Sequence, residues 1–208
     1  MRWVVGIDEV GRGALAGPVV VAAAMVAVDI RGRILHHPFR GLKDSKKLSA
    51  KQREEWFGYI KKQPGVKFAL ARVNPRSIER LNISTAANKA ALSAFNQLLM
   101  VNKISLSTPI FLDGGLFLGS RAYQDKHHKT AKTSPKADEN IPVVAVASIV
   151  AKVTRDRFMT RLSEKHSIYG FEIHKGYGTK NHMKAIKKHG SCDAHRLTFL
   201  GREPIIRE

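Results

Sequence analysis

An α/β domain is the fold class this sequence predicts, and three observations point to it. Apolar runs of strand length occur at 3–8, 19–28, 66–73 and 109–112. Segments at 50–63 and 84–101, and others starting near 146 and 179, have helical spacing or begin at capping residues. The two kinds interleave along the chain with neither an internal repeat nor a linker. A single domain over 1–208 is therefore expected, long enough to bury a substantial core.

Taken in order, Trp3 to Asp8 reads as a buried first strand and the alanine- and valine-rich 19–28 as a second. Asp29 to Arg33 then turns into a shorter third strand near Ile34-Leu35, which describes a meander. A basic loop leads to Asp44-Ser45-Lys46-Lys47-Leu48, and Ser49 caps a helix over 50–63 that Pro64-Gly65 stops. Another strand covers 66–73, and Pro75 opens a short helix. Ala87, Ala91, Phe95, Leu98 and Leu99 share one face of a helix over 84–101. A short strand at 109–112 ends in Asp113-Gly114. The polar, lysine-rich 119–140 reads as a long exposed loop. Ile149, Val153, Phe158 and Leu162 suit a helix from about 146, with 143–146 extended before it. Thr179 caps a last helix to His189, ended by Gly190.

Lys and Arg number 36 against 17 Asp and Glu, a formal net charge of +19. That excess favours a polyanionic partner, nucleic acid before a membrane surface, with a merely basic surface as the alternative. The longest apolar stretches, 17–28 and 141–151, fall short of a typical membrane span. No secretory leader pattern opens the sequence, so a cytoplasmic location is expected. Cys192 is the only cysteine, which rules out an intrachain disulfide and a multi-cysteine zinc site.

Against this positive background, Asp8-Glu9 ends the first strand and runs directly into Gly11-Arg12-Gly13. Carboxylates suit hard divalent cations, which take oxygen ligands. Neighbouring strand side chains point to opposite faces, so Asp8 and Glu9 share one ion only if the strand ends or twists there. Asp113 closes a second apolar strand, and acids at the C-terminal ends of adjacent strands are a common way for an α/β sheet to build a site. Asp138 either points back at that site or caps the helix after it. Four carboxylates would suit two cations about a phosphate. Lys43, Lys46, Lys47, Lys175 and Lys180 are candidate phosphate contacts or simply solvated charges. Tyr177, between Gly176 and Gly178, either stacks its ring on a nucleotide or packs in the core. The glycines at 11–17 have GxGxxxG spacing, not that of a dinucleotide loop, and no Walker, HExxH or GxSxG pattern occurs.

These blocks together resemble the type 2 ribonuclease H family, ribonuclease HII. The likeness covers Gly6-Ile7-Asp8-Glu9-Val10-Gly11-Arg12-Gly13 with Ala16-Gly17-Pro18-Val19 behind it, then Asp44-Ser45-Lys46-Lys47-Leu48, Asp113-Gly114 and Lys136-Ala137-Asp138. It continues in the same order through Ala147 to Asp156, His174 to Thr179, and His195-Arg196. The resemblance implies a ribonuclease H-like fold, a central mixed sheet with antiparallel first three strands flanked by helices. It also implies endonucleolytic cleavage of the RNA strand in RNA–DNA hybrids, and cleavage 5′ to ribonucleotides embedded in duplex DNA. The implied products carry 5′-phosphate and 3′-hydroxyl ends.

Carried over residue by residue, Asp8, Glu9, Asp113 and Asp138 would hold two Mg²⁺ or Mn²⁺ ions. Gly11, Arg12 and Gly13 would sense the ribose 2′-hydroxyl, and Tyr177 would pack against the nucleotide at the RNA-to-DNA junction. Lys43, Lys46 and Lys175 are expected to contact substrate, with the C-terminal part from about 167 to 208 contributing. The expected partners are RNA–DNA hybrid and ribonucleotide-containing duplex DNA, with no membrane, no obligate protein partner and a monomeric chain. Two departures stand out: Ala137 replaces a usual glycine, and the stretch from Asp113 to Asp138 is longer than is common.

Overall fold

The strand at 19–28 is buried at every residue, because it lies in the middle of a sheet covered on both faces. This computed structural model describes residues 2–29, 34, 39, 42, 47–101, 105 and 107–201. Strands β1 (Arg2–Val10), β2 (Val19–Val28), β3 (Val66–Val73), β4 (Ile110–Asp113) and β5 (Ala131–Ser134) form one sheet in the order β3-β2-β1-β4-β5. The β1–β2 and β2–β3 pairs are antiparallel, whereas β1–β4 and β4–β5 are parallel. The mixed sheet and its three antiparallel strands at one side match the implied fold.

On one face lie α1 (Ala50–Lys62) and the 24-residue α6 (Pro142–Lys165). Ala22, Ala24 and Val26 of β2 meet Phe57, Ile60 and the stretch Val143–Ala151 there. On the other face lie α2 (Pro75–Leu81) and α3 (Ile83–Val101), where Val21, Ala23 and Met25 meet Ala87, Ala91, Phe95 and Leu98. Alternate residues of β2 thus feed two separate cores, the period-2 rule applied to a strand with no solvent face. Small alanines on α3 and β2 let helix and sheet approach closely.

A third, smaller cluster joins Ala16 to Met159 of α6 and to Tyr169, Phe171, Ile186 and Ala194 of the C-terminal segment. That segment contains the short α7 (Phe171–His174) and α8 (Lys180–His189), which Thr179 caps through its hydroxyl. It packs directly on the residues that follow β1.

Three sequence expectations need correction. The third antiparallel strand is β3, which follows helix α1, not a strand at 34–35. Ile34 makes only an isolated antiparallel bridge to Val28, and Leu35 lies outside the described residues. The stretch 119–140 is not one long loop: it holds α4 (Arg121–His127), β5 and α5 (Ala137–Asn140). Ser120 caps α4, and the buried Gln124 side chain accepts from the Leu118 amide. β5 is a polar strand at the sheet edge, so no apolar run announces it.

Residues 143–146 are helical, not extended, because α6 begins at Pro142. Its first turns are buried all round, so they carry none of the amphipathic period that marks a surface helix. Gly6 of β1 makes this burial possible. A Cβ there would sit 2.5 Å from the Val143 carbonyl carbon and 2.6 Å from the Val144 nitrogen. Gly6→Ala should therefore destabilise the fold by about 1–3 kcal/mol, the usual range for overpacking against backbone. Urea unfolding would check this, and an unchanged midpoint would refute the close-approach account.

Candidate active site

The parallel pairing of β1 with β4 places Ile7 beside Leu112, so Asp8 and Asp113 emerge side by side one residue later. Asp113 Oδ1 then accepts from the Ala137 amide at 2.6 Å and the Asp138 amide at 3.4 Å. One carboxylate therefore fixes the turn that carries the next. Lys136 takes a left-handed φ of 55°, which swings the chain into α5. Ala137 is buried, and Asp138 is fully enclosed. Single oxygens of Asp8, Asp113 and Asp138 lie within 4.8 Å of one another.

Glu9 sits apart from that trio, as strand alternation requires. Its Oε1 is 3.4 Å from Arg12 Nη1, and its Oε2 is buried with no hydrogen-bond partner among the described residues. It lines the same groove of about 480 Å³ as Asp8, Asp113, the 11–13 turn, Arg53, Ser148, Lys152 and Tyr177. Arg12 Nη2 also donates to Ser84 Oγ at 2.9 Å, tying the turn to the start of α3.

Burial pushes the Asp8 carboxyl well above the usual carboxylate range. Glu9, Asp113 and Asp138 push it the same way, against a hydrogen bond from Ser148. Burial also raises Glu9, with Arg12 opposing and Asp113 adding to the rise. The all-oxygen donor set, the mutual repulsion and the orphaned Glu9 oxygen fit hard divalent cations, which would neutralise the cluster.

Tyr177 is half-buried at the groove wall, with the Arg155 guanidinium 5.4 Å and Lys152 Nζ 5.9 Å from its ring centre. Lys175 faces a neighbouring groove of about 440 Å³. Its ammonium donates to Thr160 Oγ1 and the Glu172 carbonyl. Lys43 and Lys46 lie outside the described residues. Sequence reasoning singled out no role for Arg53, Ser148, Lys152, Arg155 or Arg196, all of which line the groove or hold its walls. Arg155 and Arg196 stood within the motif blocks, but a charged residue in a sequence gives no sign that it is buried.

The sequence pattern of the family described as Ribonuclease HII matches residues 5–202. A ribonuclease HII from Bacillus thuringiensis strain Al Hakam is 38% identical over 215 aligned positions, covering all of this chain and 73% of that relative. Among solved structures, the ribonuclease HII of a PCNA complex from Archaeoglobus fulgidus superposes with a TM-score of 0.72 at 27% identity. That match covers 98% of this chain and 97% of the other. Ribonuclease H2 from Pyrococcus horikoshii OT3 gives a TM-score of 0.69 at 25% identity, covering 94% and 93%.

Two outcomes follow from the crowded acids. A carboxyl whose folded-state pKa is raised stabilises the fold below its unfolded pKa and loses that contribution as pH climbs through the folded value. In EDTA, Asp8→Asn should therefore gain stability relative to the unsubstituted chain between acid and neutral pH, as read by urea unfolding across pH. Mn²⁺ at about 100 times its dissociation constant should stabilise the unsubstituted chain by about 2.7 kcal/mol. Asp8→Asn should lose most of that gain, and an equal gain in both would place the cation elsewhere.

Proposed function

The chain belongs to the ribonuclease HII family of metal-dependent endoribonucleases, and from that premise we propose that it cuts on the 5′ side of ribonucleotides, including single ones embedded in duplex DNA. Ribonuclease H activity on RNA–DNA hybrids is the family's activity. The observation that carries the finer reading is the meeting of three carboxylates within 4.8 Å, two of them, Asp8 and Asp113, lining a groove walled by the 11–13 turn and Tyr177, with Asp138 enclosed behind them. Chemistry and ribose recognition would then share one cleft.

In this reading Asp8, Asp113 and Asp138 hold the cations, with Glu9 completing the set from the other side of the strand end. Two Mg²⁺ or Mn²⁺ ions bound there supply a lowered water pKa and charge stabilisation at the phosphate. Asp113 also orients Asp138 through the amides it accepts from, so its loss would disturb two positions at once. Gly11, Arg12 and Gly13 present backbone groups to the 2′-hydroxyl, the atom that separates RNA from DNA. Tyr177 offers its ring to the adjoining sugar and base. Arg53, Lys152 and Lys175, on the groove and its neighbour, attract the phosphate backbone. The product ends are 5′-phosphate and 3′-hydroxyl.

A DNA duplex carrying one ribonucleotide, incubated with Mg²⁺ or Mn²⁺, tests this directly. Cleavage 5′ to the ribonucleotide is expected, with an all-DNA duplex left intact. Asp138→Asn should lower the rate at least about a hundredfold, since removing even groups that only support a metal typically loses 10–100-fold. Equal cutting of both duplexes would make the chain a nuclease blind to the 2′-hydroxyl. Tyr177→Ala should reduce discrimination at the junction more than it reduces affinity for all-DNA duplex, and parallel binding titrations would show otherwise if both fell equally.

A further inference from the structure

The turn that follows β1 is gripped from behind by two buried arginines distant in sequence. Arg196, fully enclosed, donates from Nη2 to the Gly11 carbonyl at 2.7 Å and from Nη1 to the Arg12 carbonyl at 2.9 Å. Its Nε and Nη2 both reach the Gly17 carbonyl, at 3.0 and 2.9 Å. Arg155, equally enclosed, donates to the carbonyls of Pro18, Ala16 and Lys175 at 2.9, 3.1 and 2.8 Å. Main-chain hydrogen bonds complete the clamp: Leu15 N to Gly176 O, Gly17 N to Ala194 O, and Arg196 N to Leu15 O, each 2.8 Å.

We propose that Arg196, seconded by Arg155, is a positioning residue for ribose specificity, setting which way the peptide groups of the 11–13 turn face. This rests on the reading that the turn senses the 2′-hydroxyl. A trans peptide turns its C=O and N–H in opposite directions. Drawing the Gly11 and Arg12 carbonyls onto Arg196 therefore turns the amides of Arg12 and Gly13 away from it, on the side where this turn lines the groove. Among the described residues neither amide donates to another protein group. Both remain open to a ribose oxygen.

The glycines fit the same purpose. Gly11 has a φ of 86°, and a Cβ on it would lie 2.1 Å from Arg155 Nε. Gly17 has a φ of 80°, and its Cβ would lie 2.3 Å from Met159 Sδ. The turn is bare on the side the arginines occupy. Two guanidiniums buried together, held by carbonyls instead of carboxylates among the described residues, make an unfavourable arrangement, since burial disfavours charge and like charges repel. Burial and then Arg155 push the Arg196 guanidinium down to about 10. An apolar side chain could fill the same space at less expense. What it could not do is fix carbonyls at three positions with one planar fork, the property that separates arginine from lysine. Arg155 adds the second wall, since its guanidinium bonds to Lys175 and lies against the ring of Tyr177.

The test is the binding preference of the whole chain for a single-ribonucleotide DNA duplex over its all-DNA counterpart. It is measured with Ca²⁺, a larger oxygen-seeking cation, in place of the catalytic ion. Arg196→Lys keeps the charge and loses the fork. The expected result is a preference lowered about tenfold or more, the scale on which small misplacements act. Affinity for all-DNA duplex and the Mn²⁺-induced thermal shift should remain as in the unsubstituted chain. A retained preference, or an equal loss on both duplexes, overturns the proposal. If Arg196→Lys shows no cooperative unfolding, Arg155→Lys is read in the same assay, and the same outcomes decide. An unsubstituted chain with no preference for the ribonucleotide would instead overturn the reading of the turn, and this proposal with it.

Discussion

The close seating of α6 on the bare middle of β1 governs the geometry of the site. Gly6 leaves room for the backbone of Val143 and Val144, so the helix axis lies nearer the sheet than any side chain would permit. The short α5 that carries Asp138 runs directly into α6, whose second turn brings Ser148 to Asp8. The parallel β1–β4 pair supplies Asp113 from the other direction. Three acids from three separate elements, β1, β4 and α5, thus converge.

That convergence works against the stability of the fold. Asp8 is desolvated and faces like charges, and local hydrogen bonds offset this only in part. Such a cluster persists because the surrounding cores over-determine the positions of β1, β4 and α6. The excess of positive charge elsewhere in the chain makes the groove accessible to a polyanion despite its acidic floor. Hard divalent cations would relieve this repulsion.

A second frustrated arrangement stands behind the first. The C-terminal segment contributes little to the main cores, yet its Arg196 and the main-chain groups of 174–178 hold the turn after β1. Nearby, the buried His182 and His195 meet through their Nε2 atoms at 3.1 Å, and burial pushes both down to about 4. Neutral imidazoles can satisfy this arrangement: the Cys192 amide donates to His195 Nδ1, leaving His195 Nε2–H for His182, whose Nδ1–H is then free for the Tyr177 carbonyl. The backbone at Tyr177 is therefore anchored by polar contacts as well as by packing. No membrane-spanning candidate occurs among the described helices.

By itself the sequence determined the local elements and the kind of chemistry. Apolar runs marked β1, β2, β3 and β4, helical apolar spacing marked α3, and capping residues marked α1 and α8, because burial and hydrogen bonding within a turn are short-range properties. Asp8, Glu9 and Asp113 were legible as strand-end acids, and the order of the motif blocks gave the family resemblance. Tertiary structure decided the rest. The sequence left Asp138 between two roles, and the Asp113 carboxylate, by accepting from the amides of Ala137 and Asp138, holds it within 4.8 Å of Asp8 and Asp113. The edge strand β5 and the all-round buried start of α6 carried no periodic signal, since one is polar and the other has no solvent face. Arg155 and Arg196 stand in the motif blocks with no sign of burial, and it is residues 139 and 185 positions away that supply the carbonyls holding them. The partner of a polar group is a matter of three-dimensional proximity, and no periodicity along the chain encodes it.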